Sequence, residues 1–383
     1  MKKVRLGLIG LGHRGVLANS WRSDPRVQIV AGADLEHNRL VDFQKENQGA
    51  ETFTDYRDLL AIEDLDAVAI TSPDYCHEEQ AIAAFKAGKH VFCEKPLAIT
   101  VDGCDHILSA WKESGKKFMV GFNMRYMNTF ITMKEIAESG VIGEIKAVWV
   151  RHFIGYGGMF YYHDWHGLKK NCTSLLLQKA SHDIDIIHWV TGHYTKRVAA
   201  FGSLDYYGGN KPNSLTCSEC PEQEICPDQG DEWFQQCAFR QEIDIEDNNV
   251  MIMELDNGIK ATYMQCHFTP DSHRNYVFIG TEGRMENFLL ENKIVVKTRR
   301  RFGEKSLSDR IYEVKPAEGG HGGADPVICA DFVDMIMNGT DPVATPLAGR
   351  MSVAAGCAAE SSLRQGGVPI DIKPLPISLT DIR

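Results

Sequence analysis

The chain has 383 residues, of which 43% are hydrophobic and 24% charged, an ordinary globular composition with enough residues for two hydrophobic cores. Its formal net charge is −11, which argues against the broad basic surface that nucleic acids or anionic lipids require. No apolar run approaches the roughly 20 residues that cross a bilayer. We therefore expect a cytoplasmic protein without nucleic-acid or membrane partners.

The first third of the chain alternates apolar strands with helical patterns. Strands are predicted at residues 4–9, 27–33, 67–71, 90–93 and 118–121, and helices at residues 78–87 and 101–114. Such alternation is typical of a parallel, doubly wound α/β sheet. The sequence thus predicts a Rossmann domain over residues 1–123.

A glycine-rich motif joins the first predicted strand to a helix. Gly10, Gly12 and Gly15 form GxGxxG, and Asp34 ends the second strand, 19 residues beyond Gly15. Gly10 would permit the tight turn, Gly12 the approach of a pyrophosphate, and Gly15 close packing of helix and strand. Asp34 would bind the adenosine ribose and repel a 2′-phosphate, which favours NAD over NADP. A glycine-rich turn of another α/β protein is the weaker interpretation in this context.

The pattern changes after residue 123. A helix at 129–139 precedes alternating strands at 144–152, 198–204, 250–255, 259–267 and 276–279, and an amphipathic helix is predicted at 174–190. Residues 124–383 are expected to form an α+β domain with a large, open, mostly antiparallel sheet. Residues 369–383 are expected to run extended over another part of the structure.

Several segments of the first domain have a distinctive order. They are residues 4–15, Thr71-Ser72-Pro73-Asp74 with His77, Glu94-Lys95-Pro96, and Gly121-Phe122-Asn123-Met124-Arg125. With them, the chain resembles the glucose-fructose oxidoreductase, inositol dehydrogenase and rhizopine-catabolism (Gfo/Idh/MocA) family of oxidoreductases. The resemblance implies cofactor contacts from Gly10, Gly12, His13, Arg14, Gly15, Asp34, Thr71, Ser72, Pro73, His77, Glu94, Lys95 and Asn123. It also implies a cis peptide bond before Pro96.

Oxidation of a secondary alcohol needs a base for the hydroxyl proton and a cation near the developing alkoxide. The resemblance implies that Lys95 is the catalytic lysine and His182 the base. Asp185 lies three residues further along the same helical face, where it could orient the imidazole or hold substrate hydroxyls. Without this context, Lys95 beside Glu94 would pass for a surface ion pair and His182 for a core histidine.

One position departs from the family pattern. Many relatives have an aspartate four residues before the histidine, where this chain has Gln178 followed by Lys179. Lys179 could bind an anionic substrate group, share the proton transfer, or extend to solvent. The usual proton relay is therefore in doubt.

Residues 151–170 mix aromatic and hydrogen-bonding side chains, which suits a sugar ring, although an ordinary polar loop is the alternative. Another glycine-rich segment, residues 319–325, carries His321, which could also reach the cleft. The predicted substrate residues are Arg125, Tyr156, Trp165, His166 and Lys179. No metal is expected in the active site, because the close pair His163 and His166 lacks metal-ligand spacing and hydride chemistry needs none.

Four of the eleven cysteines are clustered in an irregular segment near residues 212–239. Cys217 and Cys220 form CxxC, but Cys226 and Cys237 do not form a second one. A structural zinc site, free thiols and a disulfide all remain open. The other seven are scattered and are expected to be reduced thiols.

The sequence thus predicts an NAD-dependent oxidoreductase acting on a CH–OH group of a sugar, glycoside, inositol or similar polyol. A redox-assisted glycosidase, in which NAD oxidises a ring hydroxyl transiently, is the first alternative. A non-catalytic cofactor sensor on the same fold is the second. The resemblance further implies a homo-oligomer, a dimer or tetramer, formed through the outer face of the second-domain sheet.

Overall fold

The computed structural model describes residues 3–230, 235–300, 302 and 310–382. The chain divides into two compact units. The first unit contains Met1–Phe130, Pro316–Val353 and Lys373–Arg383, and the second contains Ile131–Lys315 and Ala354–Ile372. The chain thus returns to the first unit near its end, which the expected boundary at residue 123 does not include.

The first unit contains a six-stranded parallel sheet. Its strands are β1 (Val4–Ile9), β2 (Val27–Ala33), β3 (Glu51–Phe53), β4 (Ala67–Ile70), β5 (His90–Cys93) and β6 (Phe118–Val120). They lie in the order β3-β2-β1-β4-β5-β6, and every pairing is parallel. This confirms the predicted Rossmann sheet, whose strand order reverses between β1 and β4, the place where such sheets bind dinucleotides.

The helices of this sheet begin and end on local signals. Thr100 caps the helix at Val101–Ser114, since its side chain accepts a hydrogen bond from the Gly103 N–H, and the helix ends at the left-handed Gly115 (φ +63°). The helices are α1 (Ala18–Ser23), α2 (His37–Glu46), α3 (Tyr56–Leu60), α4 (His77–Lys86) and α5 (Val101–Ser114).

A late segment completes the first unit. The helix α10 (Ala324–Asn338) places Phe332 against the rings of Trp21 and Phe92, with centroids 6.4 Å and 5.7 Å away. The Trp21 indole N–H also donates to the carbonyl oxygen of Cys329 at 3.2 Å. Burial of these rings explains why residues so distant in sequence join the Rossmann sheet.

The second unit contains a nine-stranded sheet. Its strands are β7 (Ile145–Phe153), β8 (Thr195–Ser203), β9 (Asn248–Leu255), β10 (Lys260–Cys266), β11 (His273–Gly280), β12 (Gly283–Phe288), β13 (Lys293–Thr298), β14 (Arg310–Glu313) and β15 (Ile370–Asp371). The order is β14-β13-β12-β11-β7-β10-β9-β8-β15. Only β7 and β10 pair in parallel among the described strands, so the predicted, mostly antiparallel sheet is confirmed.

The remaining helices are α6 (Asn128–Glu138), α7 (Lys169–Cys172), α8 (Leu175–Gln178), α9 (Ser181–Thr191) and α11 (Pro346–Arg364). The prediction of a single helix at 174–190 is wrong, because the helix is interrupted between α8 and α9. The Ser181 hydroxyl donates to the carbonyl oxygen of Gln178, and the Ala180 N–H bonds to Leu175 five residues back. Side-chain competition for a backbone carbonyl is a common cause of such breaks.

One face of the second sheet exposes apolar side chains. On β9, Met251 and Met253 point into the core, while Val250 and Ile252 are 40% and 55% exposed. Their registered neighbours on adjacent strands continue the row; the exposed members are Trp149, Phe201, Val250, Ile252 and Met264. We call these five residues the outer apolar face.

Within the described ranges, no helix has the length and apolarity needed to span a membrane.

Candidate functional site

The glycine-rich loop lies at the carboxyl end of β1. Gly10 has a φ of +88°, and a Cβ atom there would stand 2.5 Å from the backbone nitrogen of Ser72. The Thr71 hydroxyl donates to the carbonyl oxygen of Gly10 at 2.5 Å, which fixes the loop against the end of β4. Only glycine fits this turn, as the motif predicts.

The next two glycines differ from each other. A Cβ atom on Gly12 would first meet the Arg39 guanidinium, at 3.3 Å, so a movable side chain borders this part of the loop. Gly15 has only ordinary contacts, the nearest to the carbonyl oxygen of Gly10 at 3.5 Å. His13 and Arg14 lie in a 3-10 turn, His13–Leu17, which precedes α1. The predicted close packing is therefore not what requires glycine at position 15.

Asp34 follows β2 and binds the loop. Its two carboxylate oxygens accept the backbone N–H groups of Leu11 at 2.7 Å and Glu36 at 2.9 Å. The Arg39 guanidinium lies 3.5 Å from the same carboxylate, and the sequence analysis did not single it out. Asp34 thus stands where the motif predicts a ribose partner.

The segment after β4 is tied to the Glu94-Lys95-Pro96 segment by His77. This imidazole is fully buried, and its nitrogens lie 2.8 Å from the carbonyl oxygen of Pro96 and 3.0 Å from that of Ser72. Burial lowers the pKa of His77. These contacts place His77 beneath the loops, where it shapes their position.

Glu94 lies at the carboxyl end of β5, 5% exposed, in a cluster of charges. Arg14 donates its Nε to Glu94 at 2.8 Å and contacts Asp325 at 3.3 Å, while the Asn123 amide donates to Asp325 at 3.0 Å. Burial works against the charge on Arg14, but Glu94 and Asp325 outweigh it and raise its pKa. The structure thus joins Arg14, Glu94 and Asn123, all predicted cofactor residues, through Asp325, which the sequence analysis did not assign.

Lys95 follows this carboxylate directly. Its backbone N–H donates to Glu94 at 3.1 Å, and the peptide bond between Lys95 and Pro96 is cis, as the resemblance implied. Residues of the first unit therefore fit a dinucleotide: an open glycine loop, a carboxylate after β2, and polar groups after β4, β5 and β6.

In the second unit, the predicted catalytic residues lie on α9. His182 is 7% and Asp185 1% exposed. Asp183, which directly follows His182, fixes the helix to the sheet, and the sequence analysis missed it. Its carboxylate accepts two hydrogen bonds from Arg274 on β11, both at 2.8 Å, and one from the Tyr263 hydroxyl on β10 at 3.0 Å.

Further partners complete the Asp183 network. The Tyr276 hydroxyl donates to Asp183, and the His152 imidazole lies 3.2 Å from it. Burial alone would raise the pKa of Asp183, but Arg274 and His152 outweigh it and hold that pKa well below its usual range. Burial and the Arg274 charge lower the pKa of His152 to about 3, so the imidazole is neutral at physiological pH.

The structure brings three predicted substrate residues around one tyrosine that was not predicted. The Lys179 Nζ lies 5.4 Å from the Tyr161 ring centroid, and the His166 ring meets Tyr161 edge-on at 5.4 Å. Trp165 stacks on His166 with centroids 3.6 Å apart. We call Tyr161, Trp165, His166 and Lys179 the aromatic cluster.

The other two predicted substrate residues are placed differently. Tyr156 is 66% exposed in the loop before the π-helical turn Gly158–Tyr162. Arg125, in the first unit, is buried and donates to the carbonyl oxygen of Val343 at 2.5 Å. The substrate roles of both residues stay predictions.

The four clustered cysteines line one cavity of about 190 Å³, together with His163. All eleven cysteines carry free thiols, and burial raises the pKa of Cys217 and of Cys226. Within the described part of the chain, which omits residues 231–234, no three histidine, cysteine, aspartate or glutamate side chains converge as metal ligands would. The arrangement thus favours reduced thiols over a disulfide and gives the zinc hypothesis no geometric support.

Two family models match the chain. The oxidoreductase family with an NAD-binding Rossmann fold matches residues 4–122, and the GFO/IDH/MocA C-terminal domain matches residues 130–286. The chain belongs to the GFO/IDH/MocA family. It is therefore an NAD-binding oxidoreductase, as predicted.

Individual relatives within this family are moderately similar. YteT of Bacillus subtilis (strain 168) is 26% identical, with 79% of this chain and 80% of YteT aligned. An inositol 2-dehydrogenase of Salmonella paratyphi B is 32% identical over 52% of this chain, and the chain spans about half of that enzyme's length (56%). The structure of levoglucosan dehydrogenase with NADH and levoglucosan shares the fold, with a TM-score of 0.79, 19% identity, and coverage of 97% of this chain and 100% of that one.

Proposed function

We propose that the protein is an NAD-dependent dehydrogenase that oxidises a secondary hydroxyl group of a sugar or a cyclic polyol. The observation that carries the proposal is the charge cluster around Glu94, which fixes the segment bearing Lys95 at the carboxyl ends of β5 and β6. The substrate class is supported by the relatives, which act on inositol or are bound to levoglucosan. We place the redox-assisted glycosidase and the sensor below it, because the relatives with named activities are dehydrogenases.

Each predicted catalytic residue has a distinct chemical task. NAD, when bound, supplies the acceptor for the hydride. The Lys95 ammonium stabilises the alkoxide that develops as the hydroxyl loses its proton. His182 accepts that proton, and Asp185 orients the imidazole or holds a neighbouring substrate hydroxyl. In this proposal, residues 1–123 bind the cofactor and residues 124–383 supply the substrate residues.

The aromatic cluster supports a ring-shaped, hydroxylated substrate. Trp165 and Tyr161 offer apolar ring surface, while His166 and Lys179 offer hydrogen-bonding groups. Lys179 follows Gln178, and Gln178 stands at the position where many relatives have an aspartate. A cation here supports substrates that carry an acidic group in addition to hydroxyls.

The test is incubation with NAD and a panel of inositols, neutral sugars, sugar acids and aryl glycosides, followed through NADH absorbance and aglycone release. We expect NADH to accumulate with at least one polyol or sugar and no aglycone to be released. Aglycone release without NADH would establish the glycosidase. Binding of NADH with no turnover of any compound would contradict the proposal and favour the sensor.

The cofactor preference should depend on Asp34. In Asp34→Ala, we expect kcat/KM with NAD to fall about tenfold and kcat/KM with NADP to rise, because the ribose loses an acceptor and a 2′-phosphate loses a repelling charge. Steady-state kinetics with both cofactors measures the change. Asp42→Ala, an exposed carboxylate on α2, is the control. An unchanged ratio of the two values would place the ribose elsewhere.

We propose that the protein is a homo-oligomer assembled through the outer apolar face. Five exposed apolar side chains on adjacent strands form a larger patch than isolated surface residues do. The family resemblance implies assembly through the same sheet.

The eleven free thiols support a reducing compartment, the cytoplasm.

Ile252→Asp should dissociate this oligomer, because each subunit would bury a charge in the contact. Light scattering after size-exclusion chromatography should give the subunit mass, 42.9 kDa, for the variant and a multiple of it for the wild type. Leu290→Asp, which changes an apolar residue that is 79% exposed elsewhere in the second unit, is the matched control. A wild-type protein of 42.9 kDa would refute the proposed assembly.

A further inference from the structure

Residues 319–325, which lead into the first turn of α10, are held in an unusual conformation. Gly319, Gly322 and Gly323 have φ values of +111°, +63° and +83°, and His321 has one of +50°, in the left-handed region that residues with a side chain seldom adopt. A Cβ atom on Gly320 would stand 2.4 Å from the Asp325 carboxylate. The loop is therefore built around that carboxylate, and it presents one histidine.

Asp325 connects this loop to the cofactor residues of the first unit. The carboxylate is 5% exposed and receives hydrogen bonds from Arg14, in the turn after the glycine loop, and from Asn123, after β6. Burial opposes its ionisation, but His321 and Arg14 outweigh burial and lower the pKa of Asp325. The carboxylate is thus ionised at physiological pH and holds three groups at once.

His321 is the exposed member of this cluster. Its Nδ1 lies 2.8 Å from Asp325 and 3.4 Å from the Arg14 guanidinium, and 49% of its side chain is exposed. A carboxylate at Nδ1 selects the tautomer in which Nδ1 carries the proton, so that Nε2 offers a lone pair on the opposite side of the ring. The same arrangement of carboxylate and imidazole prepares a histidine to contact a ligand.

The position of the cluster indicates which part of the dinucleotide it meets. In a sheet of this strand order, each half binds one of the two mononucleotides of the cofactor. Asp34 follows β2 on the adenosine half, whereas Glu94 and Asn123 follow β5 and β6 on the other half. Because Arg14 links Glu94 to Asp325, His321 belongs to the half that receives the nicotinamide riboside.

We propose that His321 is a cofactor-binding residue, which contacts the nicotinamide riboside of NAD through Nε2 and is oriented by Asp325. The proposal adds a ligand group from residues 319–325 to a site otherwise formed by the first 123 residues. It does not depend on the proposed substrate class.

The test is calorimetric titration of wild type and His321→Ala with three probes: NAD, ADP-ribose and ADP. We expect His321→Ala to bind NAD about tenfold more weakly and ADP with unchanged affinity, because ADP lacks the nicotinamide riboside. ADP-ribose separates the two parts of that group. An equal loss for ADP-ribose places the contact on the ribose, and no loss places it on the nicotinamide, either of which supports the proposal.

His106→Ala is the matched control, because His106 is also an exposed histidine of the first unit with a carboxylate partner, Glu78, at 2.8 Å. It should bind all three probes as the wild type does. Unchanged ADP binding in His321→Ala also shows that the Rossmann sheet is intact. NAD affinity within twofold of the wild type, or equal losses for NAD and ADP, would overturn the proposal.

Discussion

The variant Lys95→Ala is expected to lose about a thousandfold of kcat, a much larger effect than its loss of NAD affinity. The methyl side chain cannot stabilise the developing alkoxide, whereas the backbone N–H that donates to Glu94 remains in place. Initial rates of NADH formation with the best polyol from the substrate panel give kcat. Titration with NADH gives the cofactor affinity.

Lys86→Ala is the control for this variant, because Lys86 is an exposed lysine at the end of α4 in the same unit. Its kcat should equal that of the wild type. If Lys95→Ala instead raised only KM, Lys95 would bind the substrate without acting on the reacting hydroxyl.

The variant Asp183→Ala is expected to destabilise the second unit by about 3–5 kcal/mol, which lowers the unfolding temperature by roughly 10 °C. The variant removes the carboxylate that accepts two hydrogen bonds from Arg274 and one from the Tyr276 hydroxyl. Scanning calorimetry measures the change. Activity should fall as well, since Asp183 holds the part of α9 that carries His182 and Asp185.

Two further variants distinguish the loss of the buried Asp183 network from the loss of a carboxylate charge in general. Asp371→Ala removes a carboxylate that pairs with Arg197 on the exposed edge of the same sheet, and its unfolding temperature should stay that of the wild type. Asp183→Asn combined with Arg274→Met should be more stable than Asp183→Ala, because the double variant removes both charges of the ion pair. A double variant less stable than the single one would contradict this account.

The contribution of Asp183 should also depend on pH. Its pKa is held well below the usual range in the folded protein, so its stabilising effect is fully present above the unfolded pKa, about 4. The effect is lost as the pH falls below that value, because the unfolded chain then takes up the proton first. Unfolding temperatures of wild type and Asp183→Ala should therefore approach each other as the pH falls below about 4.

Sequence periodicity predicted two kinds of strand, those with buried apolar runs and those of the second sheet with a clear alternation of apolar and polar residues. β1, β2 and β5 have the predicted bounds because most of their residues are apolar and buried. The three-residue strand β3 and the strands β12–β14 were not predicted, since short or edge strands with mixed polarity lack a clear alternation.

By itself, the sequence determined the doubly wound sheet, the turn at Gly10, the carboxylate after β2 and the family segment at Glu94-Lys95-Pro96. These features depend on residues close together in the chain, where local conformation and hydrophobic period act directly. The sequence could not assign Asp183, because its partners His152 and Tyr276 are 31 and 93 residues away.

Only the tertiary structure decided which charged and polar groups contact one another. Asp325 looks like an ordinary acidic residue in the first turn of a helix, yet it holds Arg14 from 311 residues away and Asn123 from 202 residues away. The energy of such a cluster comes from burial and from the fixed distances between charges, which no local pattern encodes. For the same reason, the break between α8 and α9 and the placement of Lys179 beside Tyr161 became apparent only in the folded chain.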